Sequence, residues 1–355
     1  HLQEYSRNYN VKNRFALTSY LYDLPEDLIA QYPCHPRDAS RLLVVERDTE
    51  KIYEMPFKEL CHYLEKGDSL VFNDTKVIPS RLIGQRLSGG KAEVFLLKKI
   101  SSHQWEALVK PGKKMGIGTR VYFGDGFFCE VIDIHANGQR LVQLEYTGSI
   151  EEAIEKFGHV PLPYYMRRES LNEVDKERYQ TVYAQNPGSV AAPTAGLHFT
   201  DEMVSHLVDK GVLIDKITLH IGLGTFLPVK TEDIRHHQMH EEIFEITETT
   251  AQNLNARNPS RKQICVGTTT CRALESAASP EGCIQSGKYH TNIFIHPGYK
   301  FKYVKNLLTN FHQPGSSLII LVSTFASHEL IQNAYQKAVK DRYRFLSYGD
   351  AMLIL

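Results

Sequence analysis

Between Ser80 and Tyr146 the chain breaks into short runs of β-branched, aromatic and aliphatic residues punctuated by glycine. No other feature restricts the fold as much. The runs cover 81–87, 92–98, 105–110, 120–123, 127–134 and 140–146, with turns at Gly89-Gly90, Gly112, Gly116, Gly118, Gly124, Gly126 and Gly138. Each run suits a strand and is too short for an ordinary helix, and their even spacing predicts a small β-barrel or sandwich. We assign 79–149 to an inserted all-β barrel.

Beyond Pro193 the texture changes. Residues 201–210 place Met203, Val204, Leu207 and Val208 on one helical face, with Thr200 as N-cap and Gly211 just past the end. Strand-like 213–221 follows, then strand 244–246, helix 248–257, strand 263–266, helix 272–278, strand 292–295 and helix 330–340. Such alternation predicts a layered α/β domain, whose ligands sit at the carboxyl ends of the strands. Residues 20–77 show no core of their own. The expected organisation is therefore a discontinuous α/β catalytic domain, 17–78 plus 150–355, interrupted by the barrel. Residues 1–16 lack clear periodicity and are set aside as a tag remnant or loose extension.

Lys plus Arg and Asp plus Glu both number 41 in 355 residues, so nucleic acid would have to be met by a local patch. The six cysteines are scattered without a C-x-x-C pair, which points to reduced thiols and a cytoplasmic protein. The longest apolar run, 318–325, is far short of the roughly 20 residues of a membrane span.

Several segments carry chemistry. Residues 188–200 collect small side chains, Pro193, Thr194, Gly196 and His198 just before a helix. This is either a loop over which a ligand approaches the backbone or a tight turn with a core histidine. Strand-like 217–221 ends at His220 and runs into Gly222-Leu223-Gly224-Thr225-Phe226, a weak G-x-G signal that an ordinary turn explains equally well. Strand 264–266 leads through Gly267, Thr268 and Thr269 to Arg272. That is equipment for holding a carboxylate or phosphate, with helix capping and an Arg272–Glu275 pair as the alternative. His236 and His240 lie four apart, but without an H-E-x-x-H order or a third ligand, no metal is expected. Acid–base or hydroxyl-binding roles suit His240 and Glu241 better. Asn73-Asp74-Thr75 and Asn310-Phe311-His312 each adjoin an apolar run. Arg37, Arg41, Lys76 and Arg81, and separately Lys113 and Lys114, are candidate basic patches for an RNA backbone.

In chain order, the motifs Tyr22-Asp23-Leu24-Pro25, Asn73-Asp74-Thr75, Gly158-His159-Val160-Pro161-Leu162-Pro163, Tyr179-Gln180-Thr181-Val182-Tyr183 and Ala191-Ala192-Pro193-Thr194-Ala195-Gly196-Leu197-His198-Phe199 match one known family. So do Thr218-Leu219-His220-Ile221-Gly222-Leu223-Gly224-Thr225-Phe226, Thr309-Asn310-Phe311-His312 and Tyr348-Gly349-Asp350-Ala351-Met352-Leu353. Together they resemble the S-adenosylmethionine:tRNA ribosyltransferase-isomerases of bacterial queuosine synthesis. The resemblance implies transfer and isomerisation of the ribosyl part of S-adenosylmethionine onto preQ1 at the tRNA wobble position, releasing adenine and methionine. S-adenosylmethionine is then a substrate, tRNA the partner, and no metal or membrane is involved; a monomer is expected. On the matching positions, His198, His220 and His240 become acid–base candidates, with Thr194 and Glu241 beside them. Thr268, Thr269 and Arg272 become the holder of the methionine carboxylate, with Gly267 a substrate contact beside them. Asn73, Asp74, Thr75, Gly196, Gly222, Gly224, Thr225, His312 and Asp350 become further substrate contacts. Two departures stand out: Tyr164 follows Pro163 where the family has a second proline, and Gly315 stands where it usually has lysine. A non-catalytic RNA-binding relative and a metal-dependent hydrolase are the rival readings.

Overall fold

The computed structural model describes residues 13–168 and 173–355, with the side chains of Glu173, Thr225 and Phe226 outside the description. Among the described residues the main sheet has nine strands. Their order is Gly287–Thr291, Glu242–Ile246, Leu213–Leu219, Ser69–Asn73, Gln263–Val266, Asn306–Asn310, Ala351–Ile354, Arg41–Val45 and Ile52–Pro56. Leu213–Leu219, Ser69–Asn73, Gln263–Val266 and Asn306–Asn310 run parallel, so their carboxyl ends converge on one edge.

The central strand Ser69–Asn73 is buried throughout, as a strand covered on both faces must be. The period of two sends Val71 into one core with Leu43 and Val45, and Leu70 and Phe72 into the other with Leu42 and Val44. Helices Thr268–Ala277, Ser317–Phe325 and His328–Lys340 cover the first face through Leu274, Ile320 and Ile331. Helix Asp201–Asp209 covers the second through Met203 and Leu207. Thr200 caps that helix by accepting the Met203 N–H at 3.0 Å, and Gly211 follows it at φ +89°.

A second sheet runs Gly158–His159, Arg81–Arg86, Lys91–Lys99, Gln104–Lys110, Arg140–Glu145, Phe127–Ile134 and Arg120–Gly124, and closes by pairing Gln85 with Tyr122 and Arg86 with Val121. Closure removes the free edges of a small antiparallel sheet. Its interior holds Leu82, Val94, Leu96, Trp105, Val121 and Val142. Helix Ile150–Phe157, begun by a Ser149–Glu152 capping box, adds Ile150, Ala153 and Ile154 to the same core, so this packing unit extends past residue 149.

Three sequence expectations change. The strand expected at 292–295 lies at Gly287–Thr291, paired with Glu242–Ile246; Ile295 is buried by packing outside a ladder. The helix expected from Arg272 begins at Thr268, because burial of three threonines overrides their weak helix propensity. Of the segment 1–16, residues 1–12 lie outside the described residues, while 13–16 are docked rather than loose. Ile234 N–H donates to Phe15 O, Ala16 bridges Asp233, and Arg235 stacks 4.4 Å from the Phe15 ring.

Candidate active site at the carboxyl ends of the parallel strands

The four parallel strands deliver their following residues to one place. After Ser69–Asn73 comes Asn73-Asp74-Thr75. The Asn73 amide donates to Leu219 O at 3.0 Å and to Thr269 Oγ1 at 3.3 Å, and its Oδ1 accepts the Leu219 N–H at 2.9 Å, so one side chain ties three loops together. Asp74 Oδ1 accepts from Thr218 Oγ1 at 2.6 Å. Thr75 Oγ1 meets His220 Nδ1 at 2.8 Å, and burial pushes the His220 pKa below its ordinary value.

The loop after Gln263–Val266 turns at Gly267, whose φ of +96° suits glycine, and opens helix Thr268–Ala277. The helix ladder begins with Cys271 N–H to Gly267 O at 3.1 Å, and Gly267 supplies no side-chain cap. The N–H groups of Thr268, Thr269 and Thr270 therefore have no partner within the helix. Thr270 Oγ1 bonds back to Val266 O at 2.7 Å. Gly267, Thr268, Thr269, Thr194, Thr309 and His312 line a cavity of about 30 Å³, and Thr194, Asn310 and His312 also line a neighbouring one of about 40 Å³.

Arg272 takes neither of its expected places. It is 1% exposed, and its Nη1 pairs with Glu242 Oε2 at 2.5 Å while Nε donates to Ile293 O at 3.3 Å. Glu242 Oε1 accepts the Gly222 N–H at 3.1 Å, so the buried pair braces the 222–226 turn. Glu275 instead accepts the N–H groups of Lys302, Tyr303 and Val304 and the Tyr299 hydroxyl. Arg272 does not line the small cavity, and its Nη2 is buried without a partner.

The candidate histidines separate by environment. His198 is buried with both ring nitrogens engaged: Nδ1 to Ser40 Oγ and Nε2 to Asn310 Oδ1, each at 2.7 Å. Since the Asn310 amide donates to Leu346 O and Ser347 O, its Oδ1 is the acceptor and Nε2 carries the hydrogen. Desolvation lowers the His198 pKa. His240 is exposed, and its ring lies so close over Gly224 that a Cβ there would fall 2.2 Å from Cδ2. Glu241 is exposed and paired with His290 Nδ1 at 3.0 Å. His236 closes a short 3-10 turn and His240 lies beyond it in irregular chain, so the four-residue spacing confers no common helical face. Among the described residues no group of three or more His, Cys, Asp or Glu is arranged to hold a metal ion.

Asp350 is buried away from the cavities, accepting the Arg41 N–H at 2.9 Å and the Arg344 N–H at 2.7 Å. A Cβ on Gly196 would fall 2.0 Å from the Tyr183 hydroxyl, so its role is packing against that ring. The side chain of Thr225 lies outside the described residues. Two of the basic residues are already paired, Arg41 with Glu54 and Arg81 with Glu93, each at 2.7 Å, which removes them from a free cationic patch. Arg37 donates to Leu197 O and Glu177 O, whereas Lys76, Lys113 and Lys114 are exposed.

Sequence reasoning overlooked Ser40 and Tyr335 and gave Glu242 no role. Their partners lie 158, 23 and 30 positions away, and no local pattern carries that information. A cavity of about 440 Å³ lies away from this site. It lies between residues 19–23 and the helices Ser317–Phe325 and His328–Lys340, and only Tyr22 and Tyr335 of its wall reach His312. Chemistry, not volume, decides for the polar cluster.

A layered α/β body with a closed barrel gathers its polar cluster at the carboxyl ends of the parallel strands, where the ligands of open α/β enzymes bind. The chain belongs to the queuosine biosynthesis protein family, whose profile matches residues 17–354. It is 50% identical to the S-adenosylmethionine:tRNA ribosyltransferase-isomerase of Lachnoclostridium phytofermentans, over 94% of this chain and 96% of that one. It is 48% identical to the protein of that name from Clostridioides difficile, over 94% and 98%. Among solved structures it is similar to the S-adenosylmethionine tRNA ribosyltransferase of Thermotoga maritima, with 34% identity, a TM-score of 0.53, and 95% and 100% of the two chains covered.

Proposed function

We propose that this protein is an S-adenosylmethionine:tRNA ribosyltransferase-isomerase, moving the ribosyl group of S-adenosylmethionine onto preQ1 in the wobble position of tRNA. The observation that carries this reading is the near full-length identity of about half to relatives of that name. Loss of a proton beside the sulfonium opens the sequence; adenine departs, the preQ1 amine adds to the opened sugar, and epoxide closure expels methionine. Three carbon–heteroatom bonds of the donor are broken, to the ring oxygen, to adenine and to the sulfonium sulfur, and S-adenosylmethionine is consumed as a substrate.

The discontinuous unit 17–78 and 150–355 is the catalytic body, with the barrel inserted in it. The N–H groups of Thr268 and Thr269 hold the methionine carboxylate, supported by their freedom from intrahelical bonds. His220, half-buried, pushed towards neutrality and hydrogen-bonded by Thr75, is the better placed acid–base group. His198 is a positioning residue, since its two ring nitrogens are engaged inside the protein. The RNA face includes Lys76 and Arg37, which border a groove of about 640 Å³ with His35 and Arg178, and extends to Lys113 and Lys114 on the barrel. The protein acts as a monomer in the cytoplasm, alongside its tRNA substrate. Among the described residues no helix is long and apolar enough to cross a membrane.

Incubation with S-adenosylmethionine and preQ1-containing tRNA tests the assignment. Equimolar adenine, methionine and epoxyqueuosine-tRNA are expected. Binding of the tRNA without release of adenine would transfer the protein to the non-catalytic RNA-binding class.

A further inference from the structure

At the strand ends one ring nitrogen, His312 Nδ1, makes no hydrogen bond to any of the described residues. His312 is 8% exposed, and its peptide is gripped on both sides: its N–H donates to Tyr335 Oη at 2.9 Å and its carbonyl accepts from Tyr22 Oη. Ring atom Nε2 lies 2.7 Å from Thr309 Oγ1, and that hydroxyl donates to Asn310 O at 3.1 Å. A hydroxyl has a single hydrogen. Given to the carbonyl, it leaves Oγ1 to accept from Nε2–H, and His312 Nδ1 then keeps its lone pair. The ring lines both small cavities, one of which is also lined by Gly267, Thr268 and Thr269, where helix Thr268–Ala277 presents unbonded N–H groups.

We propose that these two features together recognise an α-amino acid head group. The start of helix Thr268–Ala277 takes the carboxylate of S-adenosylmethionine, and His312 Nδ1 accepts a hydrogen bond from its ammonium. The inference rests on the proposed function and deepens it. An α-amino acid carries its anion and its cation on one carbon, so its binding site needs clustered N–H donors beside an uncharged acceptor. Burial also pushes the His312 pKa down to about 3, which prevents an imidazolium from repelling the ammonium. Thr309, Tyr22 and Tyr335 are positioning residues: the first sets the tautomer, the others the peptide.

Calorimetric titration of the full chain with S-adenosylmethionine and with its desamino analogue, in which hydrogen replaces the α-amino group, tests this. Wild type is expected to bind the analogue at least about tenfold more weakly, the loss of one charge-assisted hydrogen bond. His312→Leu should bind the two ligands within about twofold of each other. His312→Asn, whose Oδ1 offers an acceptor near the place of Nδ1, should recover most of the preference, and Thr309→Val should lose it. Equal binding of both ligands by wild type overturns the proposal, however the variants fold. A tenfold preference surviving in a His312→Leu protein with a native circular dichroism spectrum overturns it as well. Absence of S-adenosylmethionine binding by wild type would overturn the proposed function and this inference with it, whereas the other two outcomes overturn this inference alone.

Discussion

The barrel and the carboxyl edge of the main sheet solve opposite problems. In the barrel, strands alternate between a filled apolar interior and water, and surface charges meet across strands, as in Arg81–Glu93 and Arg120–Glu130. At the sheet edge, Asn73, Thr269, Asn310, Arg272 and Glu242 are buried polar groups that bond to partners far away in sequence. The barrel is held by area removed from water, which tolerates exchange of one apolar residue for another. The edge is held by pairing, where removal of one member strands the other. A region of the second kind has stability and chemistry bound together, and that coupling can be broken experimentally.

The largest effect is expected at Arg272. Arg272→Ala removes the buried guanidinium that pairs with Glu242 beside the Gly222 turn, at a cost of about 3–5 kcal/mol. S-adenosylmethionine binding should fall with it. Leu96→Ala in the barrel interior should cost a comparable 2–5 kcal/mol or so while leaving that binding intact in the folded fraction. Denaturant titration paired with calorimetry checks both, and equal binding by the two variants would erase the contrast.

His198→Ala comes next. It leaves Ser40 Oγ and Asn310 Oδ1 without their buried partner, each worth about 1–3 kcal/mol. Because the histidine contacts protein on both nitrogens, the loss should appear in the unfolding midpoint and in kcat through displaced Asn310, with the pH profile of kcat unshifted. A shifted profile would return His198 to direct proton transfer.

How far each region was legible follows from the same difference. Strand Phe127–Ile134 was read to the residue, because alternation and flanking glycines are local signals. The Thr200 cap and Gly211 were legible for the same reason. At the edge, spacing singled out the 188–200 and 264–272 segments but not the distant partners of their members. Arg272 looks like a ligand-facing cation until Glu242 is found beside it, and His198 like a catalyst until Ser40 and Asn310 occupy its ring. His312 was legible only as part of a polar cluster, since its free Nδ1 depends on where the Thr309 hydrogen goes.

Acid should distinguish the regions more gently. His198 and His312 are neutral in the fold, with pKa values below the ordinary value, for His312 about 3. The unfolded chain therefore binds more protons than the native one once pH drops below about 6.5, so this stabilisation is complete above that pH and is lost as pH falls towards the native values. Each histidine can contribute a slope of at most about 1.4 kcal/mol per pH unit. Unfolding free energies measured between about pH 7 and 4 should decline, and the decline should be shallower in His312→Leu.

The smallest expected effect is at Gly315, where the family usually has lysine. Its φ is +66°, its N–H donates to Tyr20 O at 3.0 Å, its carbonyl accepts the Val229 N–H at 3.2 Å, and a Cβ would lie 3.1 Å from Leu21 Cδ2. Both backbone bonds hold the left-handed conformation in place, so Gly315→Lys must adopt it at about 1 kcal/mol, with Leu21 giving way slightly. Nearby, Tyr164, the other departure, bonds Gln313 Oε1 at 2.8 Å and fastens the same loop from its opposite side. The substitution should lower the unfolding midpoint slightly and leave S-adenosylmethionine binding unchanged. A stabilised Gly315→Lys would mean that lysine is the easier occupant of this turn, and that this chain tolerates glycine there only because Tyr164 and Gln313 hold the loop instead.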